Sequence, residues 1–166
     1  MARVTAPLRE EHKDLFPHVA KLKEAADAVG ERATEEVRRE LGEALDFLTR
    51  HLIPHAKAED GARYPVVQKL MGAPRATATM SRDHVEVGRL TSELAKIAAS
   101  LGSAPIPAGR QRELRRLLYG LHALVVLHFA KEEEIYLPLL DERLSAEEAR
   151  AMFASMEKAA AEARGS

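Results

Sequence analysis

The sequence predicts an all-α protein: an up-down-up-down antiparallel four-helix bundle with a short additional C-terminal helix. Helix-favouring residues dominate the composition, and aromatic residues make up only 4% of the chain. Apolar residues recur at helical spacing over four segments of roughly 25 to 35 residues. The connections between these segments are short, which makes neighbouring helices antiparallel.

The 166 residues are most simply one domain, with the bundle over about residues 5–140 and the extra helix over about residues 145–164. Residues 1–15 carry charges throughout, unlike a signal peptide, and no apolar stretch approaches the ~18 residues that span a bilayer. We therefore expect a cytoplasmic protein without a membrane partner. A net charge of −1 gives no electrostatic footprint for nucleic acid, and the lack of cysteine excludes disulfides and thiolate metal sites.

The first helix is predicted from about Pro7 to Val29. Thr5 and Pro7 suit its first turn, and Gly30 suits its end. Its apolar line includes His12. A histidine inside an apolar stripe is a candidate core or metal-binding residue.

The second helix is predicted to begin at Thr34, because the two acids after it suit the positive first turn of a helix. Pro65 and Gly72 bracket its end. Between these points the apolar line continues for many turns and includes His55 and Glu59. This line places a carboxylate on the side of the helix that faces the core.

The third helix is predicted over roughly Arg75 to Leu101, with His84 at the edge of its apolar stripe rather than at the centre. The loop after it, residues 102–109, is too short for a domain linker. Beyond the fourth helix, a capping box begins the fifth at Ser145, and this last helix is expected to run to about Arg164.

The fourth helix, from about Arg110 to Leu140, has a histidine and a glutamate where a helix normally has leucine. Its inward residues fall within about 50° of one line. They are Leu114, Leu117, Leu121, Leu124, His128, Glu132, Ile135 and Leu139. An unpaired carboxylate in a core costs several kcal/mol, so Glu132 has to be protonated, paired or bound to a metal.

Two His-x-x-x-Glu pairs therefore lie on the inward lines of the second and fourth helices. Residues four apart are neighbours on a helix, so each pair can present a nitrogen and an oxygen to one ion. Both segments also contain a following acid, a tyrosine, and a proline ten residues after the histidine, a weak internal repeat that suits a site with approximate two-fold symmetry. The candidate metal ligands are His12, His55, Glu59, His84, His128 and Glu132.

Other histidines and acids diverge from these inward lines and are predicted not to bind metal. His51, about 40° off its line, suits a surface role or a group that supports a ligand better than a further ligand, an alternative that stays open. The other residues of this kind are His18, His122, Asp60, Glu133 and Glu134, and the three acids are expected at a solvated rim. Glu133 is the acid most worth testing.

The order of these residues resembles the hemerythrin family, and specifically its HHE cation-binding branch. A histidine, a His-x-x-x-Glu pair, a histidine and a second such pair stand on four successive helices, over about residues 5–140. The resemblance implies a non-haem di-iron centre in a four-helix bundle. In such a centre Glu59 and Glu132 bridge two irons, His12 and His55 share one iron, and His84 and His128 share the other.

The chain departs from the oxygen-carrying members of that family at two places. Those proteins have a second histidine four residues from the one on helix 3, whereas Met80 and Gly88 flank His84 here. Their helix 4 has an aspartate five residues after the histidine, and Glu132 replaces it at a spacing of four. Fewer donors leave positions for water, oxygen, peroxide or nitric oxide. The resemblance thus implies a protein that handles such ligands, or that senses or stores iron or oxygen.

Several alternatives stay open at this point. One is a di-iron enzyme with catalase-like activity, for which Tyr119, Tyr136 and His51 are candidate proton donors. Zinc or manganese suits the same nitrogen and oxygen donors as iron. A bundle without metal, held by structural ion pairs, is a further alternative.

A ferritin-like carboxylate protein is excluded by residue identity. Its Glu-x-x-His motifs need an acid three residues before a ligand histidine. The residues at those positions are Arg9, Leu52, Ser81 and Val125.

Overall fold

Five helices account for most of residues 3–165, the part of the chain that this computed structural model describes, with side chains as far as residue 163. They are α1 (Ala6–Ala28), α2 (residues 34–71), α3 (Ala78–Ala99), α4 (residues 108–143) and α5 (Ala146–Gly165). No strand occurs in the described part. The all-α prediction is confirmed, and no helix between residues 3 and 165 is both long and apolar enough to cross a membrane.

Helices α2 and α4 are continuous but contain π-helical turns, which accommodate one extra residue. They are Leu48–Leu52 and Glu59–Arg63 in α2, and Glu132–Tyr136 in α4. A proline stands two residues after each of these turns, at Pro54, Pro65 and Pro138. Proline has no N–H to donate to the carbonyl four residues earlier and its ring crowds that carbonyl, which favours a wider turn at these points.

Because of the π-helical turn in α4, the set of residues predicted to face the core is wrong after Glu132. Ile135 was expected to face the core but is 55% exposed, whereas Tyr136, Leu137 and Leu140 are buried. One extra residue rotates every later side chain by about 100° relative to a regular α-helix. The inward line therefore moves by one residue after Glu132.

The predicted ends of α1 and the predicted start of α5 are confirmed. The chain leaves α1 through Gly30, whose φ of +84° is a left-handed conformation that glycine adopts at low cost. At α5, the Ser145 amide donates to Glu148 Oε2 (2.9 Å) and the Glu148 amide donates to Ser145 Oγ (3.3 Å), which is the predicted capping box.

Two details differ from the expectation, namely the role of Thr5 at α1 and the first residue of α3. Thr5 precedes α1 but does not cap it with its side chain, because its hydroxyl donates to Asp141 Oδ1 at 2.9 Å. This bond ties the start of α1 to the end of α4. Helix α3 begins at Ala78 rather than near Arg75, because turns occupy the residues after Gly72.

Helix α4 packs against α1 and α3, and α2 also contacts both of these helices, while α5 lies along the middle of α2. The buried apolar residues form two clusters. The large core includes Val19, Leu22, Leu41, Leu94, Leu117 and Phe129, and the small core includes Leu8, Tyr64, Val67, Met80, Leu137 and Met152. Both cores border a set of buried histidines and glutamates: Phe129 stacks on His12 with ring centroids 4.4 Å apart, and Tyr64 stacks on His84 at 5.5 Å.

Candidate metal centre

The candidate ligands predicted from the sequence converge on one interior site. Helices α1 and α3 contribute one histidine each, and α2 and α4 contribute one His-x-x-x-Glu pair each. The glutamates are 0% exposed and the histidine side chains are at most 9% exposed. They are His12, His55, Glu59, His84, His128 and Glu132.

Each oxygen of Glu59 faces a different histidine. Its Oε1 lies 3.0 Å from His55 Nε2, and its Oε2 lies 3.3 Å from His84 Nε2. The same Oε2 is 3.9 Å from His128 Nε2. The carboxylate therefore stands between two sets of imidazole nitrogens.

Glu132 of α4 repeats this arrangement with one histidine of α1 and one of its own helix. Its Oε2 lies 3.2 Å from His12 Nε2, and its Oε1 lies 3.3 Å from His128 Nε2. The donor atoms consequently fall into two groups that are each compact enough to hold one ion, within 4.8 Å of one another. One group is His12, His55, Glu59 and Glu132, and the other is Glu59, His84 and His128.

Several of these donor atoms are buried without a hydrogen-bond partner among the described residues. They are Nε2 of His12, Nε2 of His55, Oε2 of Glu59 and Oε2 of Glu132. Leaving one buried polar atom unpaired costs about 1–3 kcal/mol, so a cluster of them needs an additional partner. Imidazole nitrogen and carboxylate oxygen are donors that suit iron, manganese or zinc, and these residues therefore fit metal ions.

The opposite nitrogen of every candidate histidine is held by a carboxylate. The Nδ1 to carboxylate distances run from 2.7 to 2.9 Å. The pairs are His12 with Glu133, His55 with Glu11, His84 with Asp60 and His128 with Asp83. A carboxylate that accepts the Nδ1 proton fixes the ring orientation and leaves the Nε2 lone pair directed at the centre.

Two of these carboxylates, Glu11 and Asp83, were missed by sequence reasoning. Each precedes a candidate ligand by one residue but pairs with a histidine of another helix, so local spacing carried no signal for it. The expectation that Asp60 and Glu133 lie at a solvated rim is incomplete, because both contact a histidine of the centre. Glu134 is exposed, as expected.

Arg63 is a further buried residue of the site that the sequence analysis did not identify. Its Nη2 lies 2.7 Å from Glu59 Oε1 and also donates to Glu132 Oε1. The side chain is fully buried, and its Nε and Nη1 have no partner among the described residues. Arg63 stands four residues after Glu59, and residues at this spacing are neighbours on a helix, so the sequence did contain a signal for this contact.

Tyr64 was also missed. Its hydroxyl donates to Glu132 Oε1 at 2.9 Å and lies 3.4 Å from Nε2 of both His84 and His128. In a regular α-helix Tyr64 would point about 140° away from Glu59. The π-helical turn Glu59–Arg63 widens that turn to five residues and brings the tyrosine to the same side as the glutamate.

The charges of the centre shift the pKa values of its groups in opposite directions. Burial lowers the pKa of His55, but Glu59 and Glu11 outweigh it and raise this pKa to about 10. Burial acts likewise on His128, and Glu132 and Glu59 raise its pKa to about 10. Burial raises the pKa of Glu59, but Arg63 and His55 hold it well below its usual value. A metal ion therefore has to displace protons from imidazoles that are paired with ionised carboxylates.

The remaining sequence candidates lie away from this centre. His51 and His18 are exposed, and His122 is half-buried, so none of these histidines joins the donor groups. Two tyrosines considered as proton donors are not placed for that role, because their hydroxyls bond elsewhere. Tyr119 is 40% exposed and donates to Asp27, and the Tyr136 hydroxyl donates to the Ala76 carbonyl at 3.1 Å.

Two openings reach the histidines. A small cavity of about 20 Å³ touches His55, Glu59, His84 and His128, and its other walls are Leu52, Ala56, Val87, Val125 and Phe129. This volume holds about one water-sized ligand. A surface cleft of about 520 Å³ between α1, α2 and α5 extends from solvent to His55, past Glu11, Leu15, His51, Phe153 and Met156.

Comparison with known protein families gives one match. Residues 3–140 match the family described as hemerythrin HHE cation binding domain. This range contains every candidate ligand and ends before α5. No curated protein and no solved structure matched the chain.

Proposed function

Because the chain belongs to the hemerythrin HHE cation-binding family, we propose that its metal centre is a non-haem di-iron site that binds oxygen, peroxide or nitric oxide, or senses or stores iron or oxygen. The whole chain is then one hemerythrin-like domain, an up-down-up-down antiparallel bundle with α5 packed beside it. A cytoplasmic location remains a prediction from the sequence.

One observation carries the count of two ions. Each buried glutamate turns one oxygen toward His12 or His55 and the other toward His84 or His128. A carboxylate that faces two sets of imidazole nitrogens can bridge two cations, whereas a single ion uses one set. Iron suits a centre of nitrogen and oxygen donors without thiolate, and it supplies the redox and ligand-binding chemistry when bound.

The small cavity supports a ligand of one or two heavy atoms. Its volume of about 20 Å³ is too small for an organic substrate. Apolar side chains form its outer walls, so a small uncharged ligand can replace water there without losing hydrogen bonds. The small size of this cavity excludes larger molecules from it, and its apolar walls disfavour bulk water.

The alternative function is decomposition of hydrogen peroxide. One observation favours it: Arg63 contacts Glu59 through Nη2, and its Nε and Nη1 have no partner among the described residues, so a buried cation stands beside the centre and favours an anionic form of peroxide there. Steady oxygen evolution from peroxide by the iron-loaded protein, lost in Arg63→Met, would support an enzyme. A stable ligand adduct without turnover would support a carrier or sensor.

The experiment that tests the proposed function is metal analysis of protein purified from iron-supplied cells, with its visible spectrum before and after azide. We expect about two irons per chain and an azide-dependent spectral change. A His12→Ala, His84→Ala double variant removes one candidate donor from each group and should hold little iron, and the exposed His18→Ala is its matched control. A colourless protein that takes up no iron on reconstitution would contradict the proposal.

A further inference from the structure

The two halves of the proposed di-iron site differ in one donor. The described histidine and carboxylate donors beside His12 and His55 are the two glutamates, whereas a phenol oxygen also stands beside the His84 and His128 pair. We propose that Tyr64 is a protein ligand, through its phenolate oxygen, of the iron held by His84 and His128. This inference rests on the proposed function and deepens it.

The distances around the Tyr64 hydroxyl are those of one coordination shell. Two donors that bind one ion at about 2.1 Å and at right angles to each other are about 3.0 Å apart. Tyr64 Oη lies 2.9 Å from Glu132 Oε1 and 3.4 Å from each of two imidazole nitrogens, Nε2 of His84 and of His128. These two nitrogens are themselves 3.0 Å apart.

The contacts of the surrounding residues aim two imidazole nitrogens and the phenol oxygen at one point. His84 and His128 each have Nδ1 paired with an aspartate, at 2.8 and 2.9 Å. When an ion displaces the Nε2 protons of these rings, each Nε2 directs a lone pair at that point, beside the phenol oxygen and Glu132 Oε1. A cation between them satisfies all of these atoms.

The internal repeat shows that this donor is particular to one half of the centre. Tyr64 stands nine residues after His55, and the residue nine after His128 is Leu137, which is fully buried in the small core. The tyrosine of the second repeat stands one residue earlier, and its hydroxyl bonds to a carbonyl of the loop before α3. The first repeat alone therefore delivers a phenol to the metal centre.

Helix α3 contributes one histidine to this half of the centre. The residue four before His84 is Met80, which is fully buried in the small core that also contains Tyr64. When the ion binds, the phenol O–H bond breaks, an iron–oxygen bond forms and the proton leaves to solvent, with no change in oxidation state. In this half of the centre, Tyr64 thus adds an anionic oxygen donor to two imidazole nitrogens.

The test is resonance Raman and visible spectroscopy of the ferric iron-loaded protein, with Tyr64→Phe and its matched control Tyr136→Phe. We expect phenolate vibrations enhanced within a phenolate-to-iron charge-transfer band in the parent and in Tyr136→Phe. Both signals should be absent in Tyr64→Phe, and the affinity of its weaker iron site should fall at least about tenfold.

Metal analysis of the same samples separates this inference from the proposed function. A parent protein with about two irons and no phenolate signal would overturn the role of Tyr64 alone. A parent protein that takes up no iron would overturn the di-iron function and this inference with it. Because the parent spectrum alone decides the question, the inference stays testable even if Tyr64→Phe fails to fold.

Discussion

At the scale of single residues, Arg63 decides how the metal-free centre tolerates two buried carboxylates. Its guanidinium lies against Glu59 and Glu132, and all three side chains are 0% exposed. Removing one partner of a buried ion pair leaves an uncompensated charge, which costs far more than the pair itself contributes. Arg63 therefore supplies one positive charge to the two carboxylates when no metal is bound.

Arg63→Met should lower the free energy of unfolding of the metal-free protein by about 3–5 kcal/mol. The loss should be smaller in the iron-loaded protein, because the ions then neutralise the carboxylates. Denaturant unfolding of both forms measures this, with Arg50→Met as control, since the Arg50 side chain is 76% exposed. Equal losses in the two forms would contradict a shared role of Arg63 and the metal.

Replacement of the acids in α4 should separate a ligand from a group that supports one. Glu132→Ala should remove most of the iron, because both oxygens of this carboxylate face imidazole nitrogens. Glu133→Gln should weaken iron binding by about 10–100-fold, because Glu133 contacts only His12 Nδ1 among the histidines of the centre. Exposed Glu134→Gln should change nothing. Iron titration of the variants measures the series, and a larger effect of Glu133→Gln than of Glu132→Ala would refute the assigned helical phase.

The raised pKa values of His55 and His128 predict opposite pH trends for metal-free stability and for iron binding. Both pKa values rise from 6.5 to about 10, so their contribution to folding is complete below pH 6.5 and is lost as the pH rises through about 10. Iron has to displace the same protons, so its affinity should rise over this range. Thermal melts of metal-free protein and iron titrations from about pH 6.5 to about 9.5 measure the two trends. A metal-free protein that becomes more stable toward the alkaline end would contradict these charges.

At the scale of helices, the sequence predicted the residues before the π-helical turns Glu59–Arg63 and Glu132–Tyr136 better than the residues after them. Both His-x-x-x-Glu pairs lie where the regular helical period still holds, so their inward position was predictable. Beyond Glu59 and Glu132 the extra residue changes the helical phase. For that reason the prediction for Ile135 was wrong and Tyr64 was missed. The prolines were visible in the sequence, but a proline can end, bend or widen a helix, and tertiary packing decides which.

The carboxylates on the histidine Nδ1 atoms were unpredictable for another reason. Each of these hydrogen bonds joins two different helices. The relative rotation and offset of two packed helices depend on side-chain packing along their whole length, and a single sequence does not give these quantities.

Helix α5 supplies a further prediction at this scale. Met152 is 3% exposed and belongs to the small core together with Tyr64, so α5 packs behind the metal centre. Met152→Ala should lower the free energy of unfolding by about 2–5 kcal/mol and speed the loss of iron to a chelator. Met71→Ala is the control, since Met71 is 48% exposed. Unchanged stability and unchanged iron release in Met152→Ala would show that α5 does not support the centre.

At the scale of the whole molecule, the metal centre links four helices that the apolar cores also join. Helices α1 to α4 each place at least one candidate ligand between the large and small cores. Ions bound there hold α1 to α4 at one point, and a ligand that binds only the folded state stabilises it by mass action. The small apolar cavity beside the ions restricts the size of a ligand that binds in it, and of the candidate ligands the larger cleft reaches His55.

The central claim is that Glu59 and Glu132 hold two irons close together. X-ray absorption at the iron edge of the loaded protein measures the distance between them directly. Two irons that share bridging carboxylates should give an iron–iron distance of about 3.5 Å, with nitrogen and oxygen neighbours at about 2.0–2.2 Å. Glu59→Ala should abolish the iron–iron signal, and Asp60→Ala should retain it. Fully loaded protein without an iron–iron signal would contradict the account.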